Sequence, residues 1–231
     1  MNADRLFARM KQDGLDAIVA TMPENVTYAS GFWAMSQWIR RGPQAYVLVP
    51  GEKYGPPAVM ASTGLIDLVA DDEVWVKDVR RYGNFVIDRA AGAHLDAWDT
   101  RIDALLAQQD DGDAVACLVR AIKDRRLESG RIGVDEICIL PQYWDKLADA
   151  LPNAKLVRAA NVFRYARSIK TPEEIARLSR RGSPTSRSKL RWRLHAREQR
   201  RWIWRVPSTP PRSTKAACRF SAASASGRAV P

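Results

Sequence analysis

Two adjacent arginines, Arg40 and Arg41 in WIRRGPQAY, are the first residues whose type suggests chemistry. A planar guanidinium can donate two parallel hydrogen bonds to a carboxylate. The pair reads either as an anion clamp or as solvated charges ahead of a turn at Gly42 and Pro43. Just before them run Phe32, Trp33, Met35 and Trp38. Such residues are enriched at substrate rims and subunit interfaces, and they serve equally in local packing. His94, Asp96 and Asp99 superficially offer metal ligands. On a helix, however, 94 and 96 do not share a face, and Leu95 and Trp98 carry the apolar stripe. These three polar residues therefore belong to the solvated side, and no metal ligand or catalytic residue is assigned.

The three cysteines, Cys117, Cys138 and Cys218, are too scattered for a disulfide framework or a C-x-x-C metal pair, which predicts a reducing compartment. Cys117 and Cys138 lie in apolar contexts and read as small buried residues. The start, MNADRLFARMKQDG, is charged and has no apolar run behind it, so it is not a signal peptide. No stretch approaches the roughly 18 apolar residues of a membrane span. A cytoplasmic protein is expected.

The formal charge of +11 is unevenly spread. Residues 181–231 hold 13 Lys and Arg against Glu198 alone, a net +12, whereas residues 1–180 hold 24 basic against 25 acidic residues, a net −1. From 181 onward, 31 of 51 residues are Arg, Ser, Pro or Ala, and the apolar period stops. Such a composition predicts a disordered basic tail. Its segment RWRLHAREQRRWIWR (191–205) interleaves Arg with Trp192, Trp202 and Trp204, a pattern that could neutralise phosphates, stack on bases or lie on an anionic surface. A nucleic-acid or anionic-surface adaptor is thus the alternative function. Prolines at 207, 210 and 211 cut the segment short, and no recognised nucleic-acid fold accompanies it.

The elements that must position these residues alternate. Leu6, Phe7 and Met10 are helically spaced, Gly14 stops the helix, and LDAIVAT (15–21) follows as a buried strand. After a polar turn at Pro23, Glu24 and Asn25 come strand candidates AYVLVP (45–50), PAVMAS (57–62), EVWVKDV (73–79), RIGVDE (131–136) and AKLVRA (154–159). Leu95, Trp98, Ile102, Leu105 and Leu106 form one amphipathic stripe, and Val115, Leu118, Val119 and Ile122 another. Pro141 opens a helix carrying Leu147 and Leu151. In SIKTPEEIARL (168–178), Thr171 and Glu174 form a capping box with Pro172 at the first helical position. The expected fold is α/β, a mixed β-sheet flanked by helices, followed by the tail.

Two segments bring in a family. MPENVTYASGF (22–32), between a strand and AYVLVP, and RSIKTPEEIARL (167–178) resemble landmarks of the creatinase, prolidase and aminopeptidase P metallohydrolases. With RIGVDE the resemblance covers about 1–178. It implies an N-terminal domain over 1–168, a linker and first catalytic-domain helix over 169–180, and the basic tail over 181–231. It also implies a parent enzyme that cleaves a peptide, or a small amidino or amide substrate, with two divalent ions of manganese, cobalt or zinc. The parent's ligands are two Asp, one His and two Glu in a following catalytic domain. After Arg180 this chain has only Glu198 and His195, so no metal or catalytic residue is carried over.

In the family's oligomers this domain leans over a neighbour's active site. The resemblance therefore implies that Arg40 or Arg41 reaches a substrate carboxylate there; Phe32, Trp33 and Trp38 are, by residue type, the candidate rim or interface. The expected partners are further copies of the chain or a missing catalytic domain. The abrupt switch near 179–183 has the composition of a GC-rich gene read out of frame, so a truncated, inactive fragment is expected. Apolar surface left open near Arg167 to Leu178 would favour self-association.

Overall fold

The computed structural model describes residues 1–39, 44–70, 74–85 and 95–180. The chain divides into two units, residues 1–175 and 176–231. Of the second, the described residues are 176–180, the last turns of a helix. Arg40, Arg41, His94 and the basic tail, all singled out in the sequence, lie outside the described residues.

The first unit is a six-stranded mixed sheet in the order β4-β3-β2-β1-β5-β6. Its strands are β1 (Ala17–Ala20), β2 (Tyr46–Pro50), β3 (Ala58–Ser62), β4 (Asp78–Tyr82), β5 (Arg131–Val134) and β6 (Lys155–Arg158). Strands β1, β2 and β3 pair antiparallel as a meander, while β3–β4, β1–β5 and β5–β6 are parallel. The helices are α1 (Ala3–Gln12), α2 (Pro23–Ser30), α3 (Met35–Trp38), α4 (Ile66–Val69), α5 (Ala97–Leu106), α6 (Ala114–Asp124), α7 (Pro141–Ala150), α8 (Ala160–Ser168) and α9 (Pro172–Arg180).

Alternation along the buried strands divides the core in two. Ile18, Ala20, Val47 and Val49 face α1, α2, α4, α5 and α8, where Leu6, Met10, Val26, Ile66, Ile102 and Phe163 meet them. Ala17, Val19, Tyr46 and Leu48 face α6 and α7, through Val115, Leu118, Ile122 and Leu147. Because β1 and β2 are buried along their whole length, on both faces, they read as unbroken apolar runs.

Three local expectations differ from the structure. The segment at Pro23–Asn25 is the first turn of α2, because Pro23 fits the first helical position and Asn25 and Val26 donate to Met22 O. The fourth strand begins at Asp78, later than EVWVKDV suggested; Val74 and Val76 are buried ahead of it without pairing. Trp98 is 46% exposed, since it sits in the first turn of α5, ahead of the buried Ile102 and Leu105. Asp96 caps that helix, accepting from Trp98 N and Asp99 N at 2.8 Å, while Asp99 reaches back to Asp96 N. These two aspartates thus have a capping task. The Thr171–Glu174 box also forms, with Glu174 N donating to Thr171 Oγ1 at 3.2 Å and Thr171 N donating to Glu174 Oε2 at 2.7 Å.

Strand β4 is tied to α6 by ion pairs. Asp78 accepts two bonds from Arg80 at 3.1 Å and one from Arg125 at 2.7 Å, and Arg125 also donates to Pro56 O. Burial alone would raise the Asp78 pKa, but the hydrogen bonds from Arg80 and Arg125 outweigh it and hold the carboxylate below its ordinary range. A carboxylate with a depressed folded pKa stabilises fully above its unfolded value and loses that contribution as pH falls through the folded value. Urea midpoints should therefore fall with pH below about 4, and Asp78→Asn should show a shallower fall than wild type over the same range. Gly133 supplies a packing test. A Cβ there would lie 2.8 Å from Ala159 Cβ and 2.9 Å from Leu15 Cδ1. Gly133→Ala should cost about 1–3 kcal/mol in urea denaturation.

Candidate functional site

In open α/β sheets, ligands favour the crevice at the carboxyl ends of two parallel strands whose onward connections leave on opposite faces. Strands β1 and β5 meet this description. The chain leaves β1 through α2 on one face of the sheet and leaves β5 through α7 on the other. Here the crevice is filled from within. Asp135, the first residue after β5, is fully buried and accepts from Met22 N at 3.0 Å and Asn25 Nδ2 at 2.7 Å. Its carbonyl accepts from Thr21 Oγ1, and its amide donates to Val19 O at 2.9 Å. Met22 caps α2, so the carboxylate also lies where a helix N-terminus favours negative charge.

The network continues to the end of the domain. Asn25 Oδ1 accepts from Arg167 Nη1 at 2.8 Å. Asn25, Asp135 and Arg167 come from the three segments of family resemblance, and the fold brings them together. Around this exit, Asn2 Nδ2 donates to Ile169 O at 3.3 Å, Tyr28 Oη accepts from Asn2 N at 2.7 Å, and Arg5 lies 4.0 Å from the Tyr165 ring centre. Glu136 accepts from Ala159 N and Ala160 N at the start of α8.

From this clamp the chain runs to the aromatic segment. Gly31 ends α2 in the left-handed region at φ +82°, which favours glycine, and its amide donates to Thr27 O at 2.8 Å. Phe32 then enters the core at 0% exposure, so the expected rim role does not hold for it; it is a packing residue. Beyond it, inside and outside alternate. Ala34, Ser36 and Gln37 are buried, whereas Trp33 is 53% exposed, Met35 38%, Trp38 41% and Ile39 61%. Gln37 clips this turn to the sheet end through Nε2, which donates to Thr21 O at 3.0 Å and Ala45 O at 2.8 Å. Trp75 N donates to Ser30 O at 3.0 Å, adding another exposed tryptophan beside the end of α2.

Among the described residues no group of three or more His, Cys, Asp or Glu could hold a metal ion. Cys117 is buried, and burial pushes its thiol pKa up, the direction of an inert residue. Cys138 is partly exposed. No helix among the described residues is long and apolar enough to cross a membrane.

The profile of the Creatinase/Prolidase N-terminal domain matches residues 3–169. The chain belongs to this family. A solved structure shares the fold, and others are similar to the chain. A dipeptidase from Pyrococcus horikoshii OT3 is 13% identical with a TM-score of 0.51, over 76% of this chain and 39% of its own length. An Xaa-Pro aminopeptidase P structure from Streptococcus thermophilus is 19% identical with a TM-score of 0.46, over 72% and 95%. The N-terminal domain of the cytoplasmic peptidase PepQ from Mycobacterium tuberculosis H37Rv is 21% identical with a TM-score of 0.44, over 72% and 98%. The chain thus spans less than half of the dipeptidase. A search of curated proteins finds no match.

Sequence reading missed Asn25, Asp135 and Arg167. The available signal was an acid placed directly at the end of a fully apolar strand, RIGV followed by Asp135, a position that buries charge unless donors are waiting. Asp135→Ala should cost about 3 kcal/mol in chemical denaturation, because it strands Met22 N and Asn25 Nδ2 in the interior. Arg167→Ala should cost about 1 kcal/mol. A double-mutant cycle should show that the two changes do not add.

Proposed function

We propose that this chain is the non-catalytic N-terminal domain of a metal-dependent hydrolase of the Xaa-Pro aminopeptidase, prolidase or creatinase type, acting in the cytoplasm. In this reading the domain shapes substrate access and subunit contacts, and hydrolysis takes place on a separate metal-binding domain. The observation that carries the proposal is the clipped turn at 33–39. It holds Trp33, Met35, Trp38 and Ile39 in solvent on a segment whose intervening residues are locked into the sheet end. Exposed tryptophan side chains, with two χ angles each, on a fixed backbone lose little entropy on docking, which suits an interface or a substrate rim. Arg40 and Arg41 follow directly in sequence, where a guanidinium fork could receive a substrate carboxylate.

The two divalent ions of the parent chemistry do not fit the described residues, which assemble no suitable ligand group. No step through a metal is therefore derived for this domain. Its contribution is to bind, orient and cover.

Two measurements test the reading. The chain with manganese, cobalt or zinc should leave Xaa-Pro dipeptides intact, and turnover that survives chelator-free repurification would overturn the non-catalytic assignment. In light scattering coupled to size exclusion, the chain should self-associate, and Trp33→Ala with Trp38→Ala should shift it toward monomer by about tenfold in dissociation constant. Unchanged association in that variant would remove the turn from the interface.

A further inference from the structure

The two edges of the sheet are treated differently. Strand β4 is covered: Asp111 N donates to Arg81 O, Arg81 Nε donates to Gln108 O at 2.9 Å, and Gly83 N donates to Asp110 Oδ1 at 2.8 Å. Strand β6 is bare. Lys155 N donates to Gly130 O and Ala159 N to Val134 O, so residues 155, 157 and 159 point their backbone groups at β5. The alternate residues, Leu156 and Arg158, turn theirs outward, and no described residue accepts from Leu156 N or Arg158 N. An open edge of this kind is a template for one more strand.

Charge decides what kind of strand. From 154 to 170 the chain carries Lys155, Arg158, Arg164, Arg167 and Lys170 and no acid, inside a body whose net charge is −1. Lys155, Arg158, Arg164 and Lys170 are exposed. A second copy pairing β6 with β6 would set like charges against each other, and the chain's own 181–231 segment, at +12, has the wrong sign. An acidic strand has the right one.

The two faces of the edge add a pattern. Val157 packs on the α8 side, so Lys155 shares that side; Leu156 packs on the α7 side, so Arg158 shares that one. Arg158 helps to line a cavity of about 530 Å³ together with Ile139, Pro141, Trp144, Glu136 and Asp145. Those carboxylates repel an acid, and the apolar walls suit an aliphatic side chain. We propose that the β6 edge binds an extended peptide segment of a partner protein by strand addition. Acidic residues of that segment fall on the Lys155 side, and aliphatic residues alternate with them toward the Trp144 cavity.

The test is fluorescence anisotropy on the full chain with a fluorescein-labelled ten-residue peptide of alternating Glu and Val. Saturable binding is expected, weakened at least about tenfold by Lys155→Glu with Arg158→Glu. The same peptide N-methylated at every backbone amide, which keeps every charge and has no N–H left to donate to a strand edge, should bind at least about tenfold more weakly to the unaltered chain. This second comparison stands even if the double variant misfolds. Equal binding of the N-methylated peptide would reduce the edge to a charged patch and overturn the proposal. So would equal binding of an alternating Lys and Val peptide, no binding at all, or a dimer that the double variant dissociates. The turn at 33–39 is read by its own variant, Trp33→Ala with Trp38→Ala, so the proposal and the functional reading above fail separately.

Discussion

A single buried carboxylate holds the joints of this domain together. Asp135 is buried at the mouth of the sheet, where its Oδ2 is held by two donors, Met22 N and Asn25 Nδ2. The donors come from the N-cap and first turn of α2, which fixes how that helix departs from β1. That departure fixes where Gly31 turns the chain and where Phe32 is driven inward. Through Asn25 the same carboxylate reaches Arg167, near the end of α8. The entry to the aromatic turn and the exit of the domain therefore share one anchor. A change there moves both.

The carboxylate also accounts for what the crevice does not do. Doubly covered sheets present their switch point to a ligand when the backbone donors there are unused. Here the amide at the helix start is already occupied by a side chain of the same molecule. The fold keeps its architecture and gives up that position to internal cohesion. In the proposed function, recognition falls to the turn clipped by Gln37. Buried and exposed residues alternate there over a few positions, so the turn holds its shape while offering apolar surface.

Much of this was legible in the sequence because the physics is local. Continuous apolar runs such as AIVA and YVLVP announce strands covered on both faces, and Thr171 with Glu174 announces a helix start. The mixed sheet followed from the order of these pieces. Boundaries were lost where local and tertiary signals part company: Val74 and Val76 have strand-like alternation but are buried in a loop, and Trp98 has helical spacing but lies one turn short of the covered stripe. The candidate site was legible in part. Trp33 and Trp38 stand out by type, but nothing in an aromatic run says which ring faces in, so Phe32 could be placed only by the backbone reversal at Gly31. The Asp135 clamp was hidden because its members are separated by over a hundred residues.

The central strand has a consequence for how the chain comes into being. β1 finds β2 within a short meander, but its other neighbour, β5, lies about 115 residues further along, as the bond from Arg131 N to the Asp16 carboxylate marks. During synthesis the most apolar strand of the molecule is therefore half-paired, one edge open, until most of the domain has left the ribosome. The acid that later closes the crevice arrives with that last partner. Completion of the sheet, charge burial and ordering of the α2 entrance thus fall in the same late step, and a chain stopped short of β5 would hold a meander with neither its centre covered nor its aromatic turn aligned.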